Sequence, residues 1–93
     1  MIRSFRHKGL RALHERRDAS GVRADHAARL RRLLATLDVA QSPTEMDQPG
    51  NRLHYLKQGK YSGYWSVRVS GNWRLIFQFS EQGAELVDYL DYH

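Results

Sequence analysis

Halfway along the chain, the spacing of apolar residues changes from helical to alternating. Ala27, Leu30, Leu34 and Leu37 recur at steps of three and four, which places them on one stripe of a helix from about Ala24 to Val39. Trp65, Val67 and Val69 instead alternate with Tyr64, Ser66, Arg68 and Ser70, and Trp73, Leu75, Phe77 and Phe79 alternate with Arg74, Ile76 and Gln78. Such alternation marks strands with one buried face. A leucine stripe and an alternating apolar face can bury one another, so helices form one layer and a sheet the other.

The remaining elements follow from weaker signals. Leu10, Ala12 and Leu13, set among charged residues, predict a first helix ending near Arg17, with a turn at Asp18-Ala-Ser-Gly21. Gly9 weakens that helix by about 1 kcal/mol relative to alanine. Met1–Phe5 can supply a short edge strand, Gln41–Gly50 is a Pro- and Gly-bearing loop, and Arg52–Leu56 and Ala84–Tyr89 complete the sheet. The expected fold class is α+β. Two N-terminal helices pack on a four-stranded antiparallel sheet, with room for a short N-terminal edge strand. Ninety-three residues suit a single domain, residues 1–93, in which one core takes most of the apolar groups.

Register follows from the same pattern, because a slip of one residue inverts every side chain. A two-residue Gly71-Asn72 turn would set Val69 opposite Arg74 and bring that arginine onto the Trp65/Val67 face. A three-residue loop, Ser70-Gly71-Asn72, sets Val69 opposite Trp73, Val67 opposite Leu75 and Trp65 opposite Phe77, and the apolar pattern selects it. Arg68 and Arg74 then face each other on the other side. Two opposed cations are destabilising unless an anion sits between them, and a phosphate would serve. With Ser80–Gly83 as a four-residue loop, Phe79 meets Ala84, Phe77 meets Leu86 and Arg74 meets Tyr89. Continued alternation brings Asp91 and His93 to Arg74's side. Asp88 falls on the core side, the residue this register accommodates worst.

Charge narrows the choice of partner. The net charge is +5, and residues 1–50 carry ten Lys/Arg against six Asp/Glu while residues 51–93 carry five against four. A basic half on a small domain suits a polyanion, nucleic acid above all. Cysteine is absent, which excludes disulfides and thiolate zinc sites. No leader with an apolar segment follows Met1, and no run approaches the ~20 apolar residues of a membrane span. The expected location is the cytoplasm, with no membrane partner.

The residues able to carry chemistry are His54, Lys57, Arg74, Tyr92 and His93, with Arg68 behind them. Cutting RNA without metal needs a base for the 2′-hydroxyl, an acid for the 5′-oxygen and cations for the pentacovalent phosphate. His, Tyr and Lys can serve the first two needs, Arg and Lys the third. Arg29, Arg31 and Arg32 on the second helix and Lys8 on the first are candidates for RNA contact, or simply a solvated face. Tyr55, Tyr61, Tyr64 and Trp65 could stack bases, although Trp65 alternates with core valines. His7 and His14 read as a surface pair. Asp88, Asp91 and His93 do not make a convincing metal site, and no cofactor is expected. No Gly-rich phosphate loop, nucleophile elbow or HExxH is present. Spacing alone leaves a ribonuclease and a non-catalytic basic RNA- or protein-binding module both open.

At these residues the sequence resembles the HigB branch of the RelE/ParE superfamily, the plasmid-maintenance killer proteins. The matching stretches are Ile2-Arg-Ser-Phe-Arg-His-Lys-Gly-Leu10, Leu53-His-Tyr-Leu-Lys57, Gly63-Tyr-Trp-Ser-Val-Arg-Val-Ser-Gly-Asn-Trp-Arg-Leu75 and Asp91-Tyr-His93. Tyr55 departs from the family, where proline is common at that place. The resemblance implies a microbial-RNase-like fold and a type II toxin–antitoxin role. It also implies metal-independent cleavage of messenger in the ribosomal A site by the RNA's own 2′-hydroxyl, with basic surfaces on ribosomal RNA. The implied partner is a helix-turn-helix antitoxin of HigA type. The family's catalytic histidine and lysine fall on His54 and Lys57, its arginine on Arg74 and its terminal histidine on His93. Tyr92 and Asp91 belong to the same terminal motif, whereas Arg68 rests on the register alone.

Overall fold

The computed structural model describes residues 1–92, and His93 lies outside the described residues. Helix α1 spans Lys8–Arg16. It starts where His7 Nδ1 accepts the Leu10 N–H at 3.2 Å, and it ends at Arg17, whose φ of 56° is left-handed. The Asp18 N–H returns to the Ala12 carbonyl at 3.2 Å, closing the turn. Gly9, which weakens the helix, is what lets the following loop lie against it: a Cβ there would sit 2.4 Å from the Gly21 carbonyl oxygen. A 3₁₀ turn, Ala24–His26, leads into helix α2, Ala27–Val39. The loop that follows contains a second 3₁₀ turn at Pro43–Met46, and Met46 is fully buried.

Four strands follow: β1 His54–Tyr55, β2 Trp65–Ser70, β3 Trp73–Ser80 and β4 Gly83–Asp91, antiparallel in the order β1-β2-β3-β4. The N-terminal segment runs alongside β4 in parallel, with Arg3 N–H on the Ala84 carbonyl at 2.7 Å and Arg6 N–H on the Val87 carbonyl at 2.8 Å. It covers an edge that would otherwise be open to pairing. On one side of the sheet, Leu10, Leu13, Leu30, Leu34 and Leu37 pack against Val67, Leu75 and Phe77. On the other side, Leu56, Tyr64 and Ile76 form a smaller cluster flanked by Tyr61, Leu86 and Leu90.

The register is the expected one in the middle of the β2–β3 hairpin and beside the β3–β4 turn, and it differs at two bulges, the second of which displaces the expected Phe77–Leu86 pair. Trp65↔Phe77, Val67↔Leu75 and Arg68↔Arg74 pair as the apolar pattern requires, but Ser70, not Val69, faces Trp73. The turn is therefore the tight Gly71-Asn72 one, with Gly71 at φ 55°. Val69 is the extra residue that keeps Arg74 off the core face. In the next hairpin Phe79 meets Ala84 as expected, while Ser80 pairs with Gly83 and shortens the loop to Glu81-Gln82.

A second shift lies between Ile76 and Gln78, beside Leu86 at φ 53°. This bulge corrects the rest of β4. Tyr89 faces Leu75 rather than Arg74, Leu90 faces Arg74, Asp91 faces Trp73 and Asp88 faces Ile76. The cause is burial: the extra residue lets both Val87 and Tyr89 enter the helix-side core, and it moves the Asp88 carboxylate out of it.

Candidate active site

The sheet face turned away from the helices collects the chemistry. His54 on β1 faces Ser66, which faces Ile76, which faces Asp88. Arg68, Arg74 and Leu90 form the next row on the same side. Beyond β1 the ladder continues, with Leu56 N–H on the Tyr64 carbonyl and Gly63 N–H on the Leu56 carbonyl, both at 2.8 Å. Gly63 and Gly59, at φ 91° and 85°, fold the intervening loop so that Tyr61 and Tyr64 cover Ile76, Leu86 and Leu90. At the other edge the Tyr92 N–H reaches the Asn72 carbonyl at 2.8 Å. That bond extends the β3–β4 pairing past Asp91, and alternation turns Tyr92 onto the outer face. Its ring lies 6.2 Å from that of Tyr61.

These three segments enclose an open cleft of about 340 Å³ lined by His54, Tyr55, Leu56, Lys57, Gln58 and Tyr92. His54 and Lys57 are exposed, and Tyr92 is 38% exposed, so each group can meet a ligand. The structure thus brings His54, Lys57 and Tyr92 together. Arg74 shares their face but does not line the cleft: its Nη1 donates to the Gly71 carbonyl at 2.7 Å and the Trp73 carbonyl at 3.1 Å. This hold on its own turn eases the opposition to Arg68. Asp91 takes the opposite face, across from Trp73 and in the field of Arg23. His93 lies outside the described residues.

The helical cations divide. The guanidinium of Arg29 points into the sheet, giving Nη2 to the Arg68 carbonyl at 2.6 Å and Asn51 Oδ1 at 3.2 Å, and Nε to the Val69 carbonyl at 3.0 Å. Both carbonyls lie at the Val69 bulge. Burial, followed by the charges of Arg32 and Arg68, pushes the Arg29 pKa down. Arg29 is therefore committed to holding the backbone. Arg31, Arg32 and Lys8 are exposed on the helical layer, across the sheet from the cleft. The four aromatics read as one stacking surface are also split. Tyr55 pairs with Trp65 on the helix side, ring to ring at 4.9 Å, and Tyr61 and Tyr64 lie on the outer side.

Two features were not foreseen. Phe5 packs into the helix-side core, so Arg6 beside it points to the outer face, where its Nη1 donates to the Tyr64 hydroxyl at 3.3 Å. Alternation in the N-terminal segment signals this once that segment is known to border β4. The other is a buried pair on the helix side, Tyr89 hydroxyl to His26 Nδ1 at 2.5 Å. Burial pushes the Tyr89 pKa up, so the phenol keeps its proton. His7 and His14 are not a pair, since His7 caps α1 while His14 lies 3.6 Å from Asp38. Among the described residues no three His, Asp or Glu side chains converge as a metal site would require, and no helix is long and apolar enough to cross a membrane.

Comparison with known proteins identifies the family. The model of the family described as RelE-like toxin of type II toxin-antitoxin system HigB matches residues 3–93. The chain is 43% identical to the Endoribonuclease HigB of Proteus vulgaris over 93 residues, which is the whole of both chains. It is 43% identical to Toxin HigB-1 of Vibrio cholerae over 63 residues, 67% of this chain and 64% of that protein. The chain belongs to the HigB-like family of RelE-like toxins of type II toxin–antitoxin systems.

Proposed function

We propose that this toxin is an endoribonuclease that cuts messenger RNA in the ribosomal A site without a metal ion, and so halts translation. The observation that carries the reading is the convergence of His54, Lys57 and Tyr92 on one open cleft, with Arg74 and Arg68 on the same sheet face. The name of the Proteus vulgaris relative supports the reaction class.

In this reading a base removes the proton of the 2′-hydroxyl, and that oxygen attacks the adjacent phosphorus. The bond to the 5′-oxygen breaks, and an acid protonates the leaving oxygen. His54 in its neutral form is the base. Lys57 neutralises the phosphate, and Arg74, released from its turn, binds the equatorial oxygens. His93 is the acid, and Tyr92, which lines the cleft, can share that task. The reading assigns Asp91 no direct contact with RNA.

An open, solvent-exposed cleft aligns a flexible RNA poorly, so the ribosome supplies the alignment. Arg31, Arg32 and Lys8, across the sheet, can hold ribosomal RNA while the cleft meets messenger. The partner in storage is a helix-turn-helix antitoxin of HigA type, and the place of action is the cytoplasm.

Purified toxin should cut messenger on translating ribosomes and leave naked messenger nearly intact. The products should end in a 2′,3′-cyclic or 3′-phosphate and a 5′-hydroxyl, and EDTA should not stop cleavage beyond its effect on the ribosome's own magnesium. Equal rates on the two substrates, or 5′-phosphate ends, would contradict the reading.

A further inference from the structure

The outer face continues beyond the cleft. Tyr92 is followed by Tyr61 at 6.2 Å and Tyr61 by Tyr64 at 5.9 Å, both edge to face. Lys60 Nζ lies 5.6 Å over the Tyr61 ring, and Arg6 stands at the far end on the Tyr64 hydroxyl. Arg6, Lys57, Lys60, Arg68 and Arg74 all lie on this face or its loop, and among the described residues none of them is in an ion pair. The ion pairs among the described residues, Arg11–Glu15, His14–Asp38 and Arg23–Asp25, belong to the helical layer and its loops. Asp88 contributes to the field at Arg6. Its Oδ1 takes the Tyr89 backbone N–H at 2.8 Å.

We propose that Tyr92, Tyr61, Lys60 and Arg6 form a track for the single-stranded RNA that flanks the scissile bond. This rests on the reading of the cleft as the place where RNA enters. A ring takes a base on its face whatever the sequence, and a cation beside it takes the adjoining phosphate, which is the combination that single-strand binders use. Lys60 now lies over the ring that a base would cover, so an arriving nucleotide turns the ammonium toward its own phosphate. Arg6 offers its remaining N–H donors at the end of the strip. The track would determine how firmly messenger is held next to the cleft, whatever the codon.

The test is binding of a fluorescent 2′-O-methyl hexauridylate, which lacks a free 2′-hydroxyl to attack with, followed by anisotropy over a range of salt. Wild-type protein should bind it. Tyr61→Leu, which keeps apolar packing and loses the ring, should weaken binding about tenfold. Arg6→Gln and Lys60→Gln should each lower the slope of log affinity against log salt by about 0.7. Arg11→Gln on the helical layer makes the same charge change and should leave the slope as it was. Circular dichroism checks each fold. No binding by wild type, or wild-type constants and slopes in the Arg6 and Lys60 variants, would overturn the track. Cleavage on programmed ribosomes, measured in parallel, judges the cleft separately: protein that binds the probe but leaves messenger whole contradicts the nuclease and not the track.

Discussion

At Arg29 a single side chain serves several backbone acceptors beside a bulge. Its partners are the carbonyls of Arg68 and Val69 and the side chain of buried Asn51. Without the guanidinium those carbonyls lose their partners in a half-buried place, a loss of about 1–3 kcal/mol. Arg29→Gln should lower stability by that amount in urea unfolding, and Arg29→Lys should recover part of it, since one ammonium can meet one or two of the acceptors. A midpoint unchanged in Arg29→Gln would show that water serves the carbonyls as well. The sequence grouped Arg29 with Arg31 and Arg32 on the face opposite the leucine stripe, whereas its guanidinium turns to the sheet. It could not show that Arg29 borders a bulge 40 residues away.

At the scale of elements, the two periods gave the layers, and alternation gave the central pairs of the β2–β3 hairpin but, in β3–β4, only Phe79 with Ala84 beside the turn. What escaped is the pair of bulges, because each is held by a distant group: Arg29 at Val69, and Ser4 Oγ, which accepts the Leu86 N–H at 2.9 Å. The β4 bulge is what sends Tyr89 inward to His26, and this has a consequence in alkali. Burial raises the folded pKa of Tyr89, so its contribution is intact below the unfolded tyrosine value of about 10. It is lost as pH rises from there through the folded value, because the unfolded chain gives up the proton first. Stability should fall above about pH 10, and Tyr89→Phe should remove part of that slope. An identical slope in the variant would mean that other groups cause it.

For the whole molecule, the division of the sheet into a packed face and a reactive face is the main consequence of the fold. Helices cover one side, and on the other a nine-residue-long β4, a glycine-hinged loop and a two-residue β1 bring His54, Lys57 and Tyr92 to one cleft. His54 and Lys57 were legible from their motif, and Arg74 from its register. The loss of Asp91 from that face was not, since it follows from the β4 bulge. The account turns on this cleft being the place of catalysis, and single-turnover cleavage of messenger on programmed ribosomes tests it most directly. His54→Ala and Arg74→Ala remove exposed or half-exposed groups outside both cores, so circular dichroism should be unchanged. Loss of a transition-state contact typically costs about 10²–10³ in rate, and each variant should slow by that factor while still binding ribosomes. Wild-type rates in both folded variants would contradict the account.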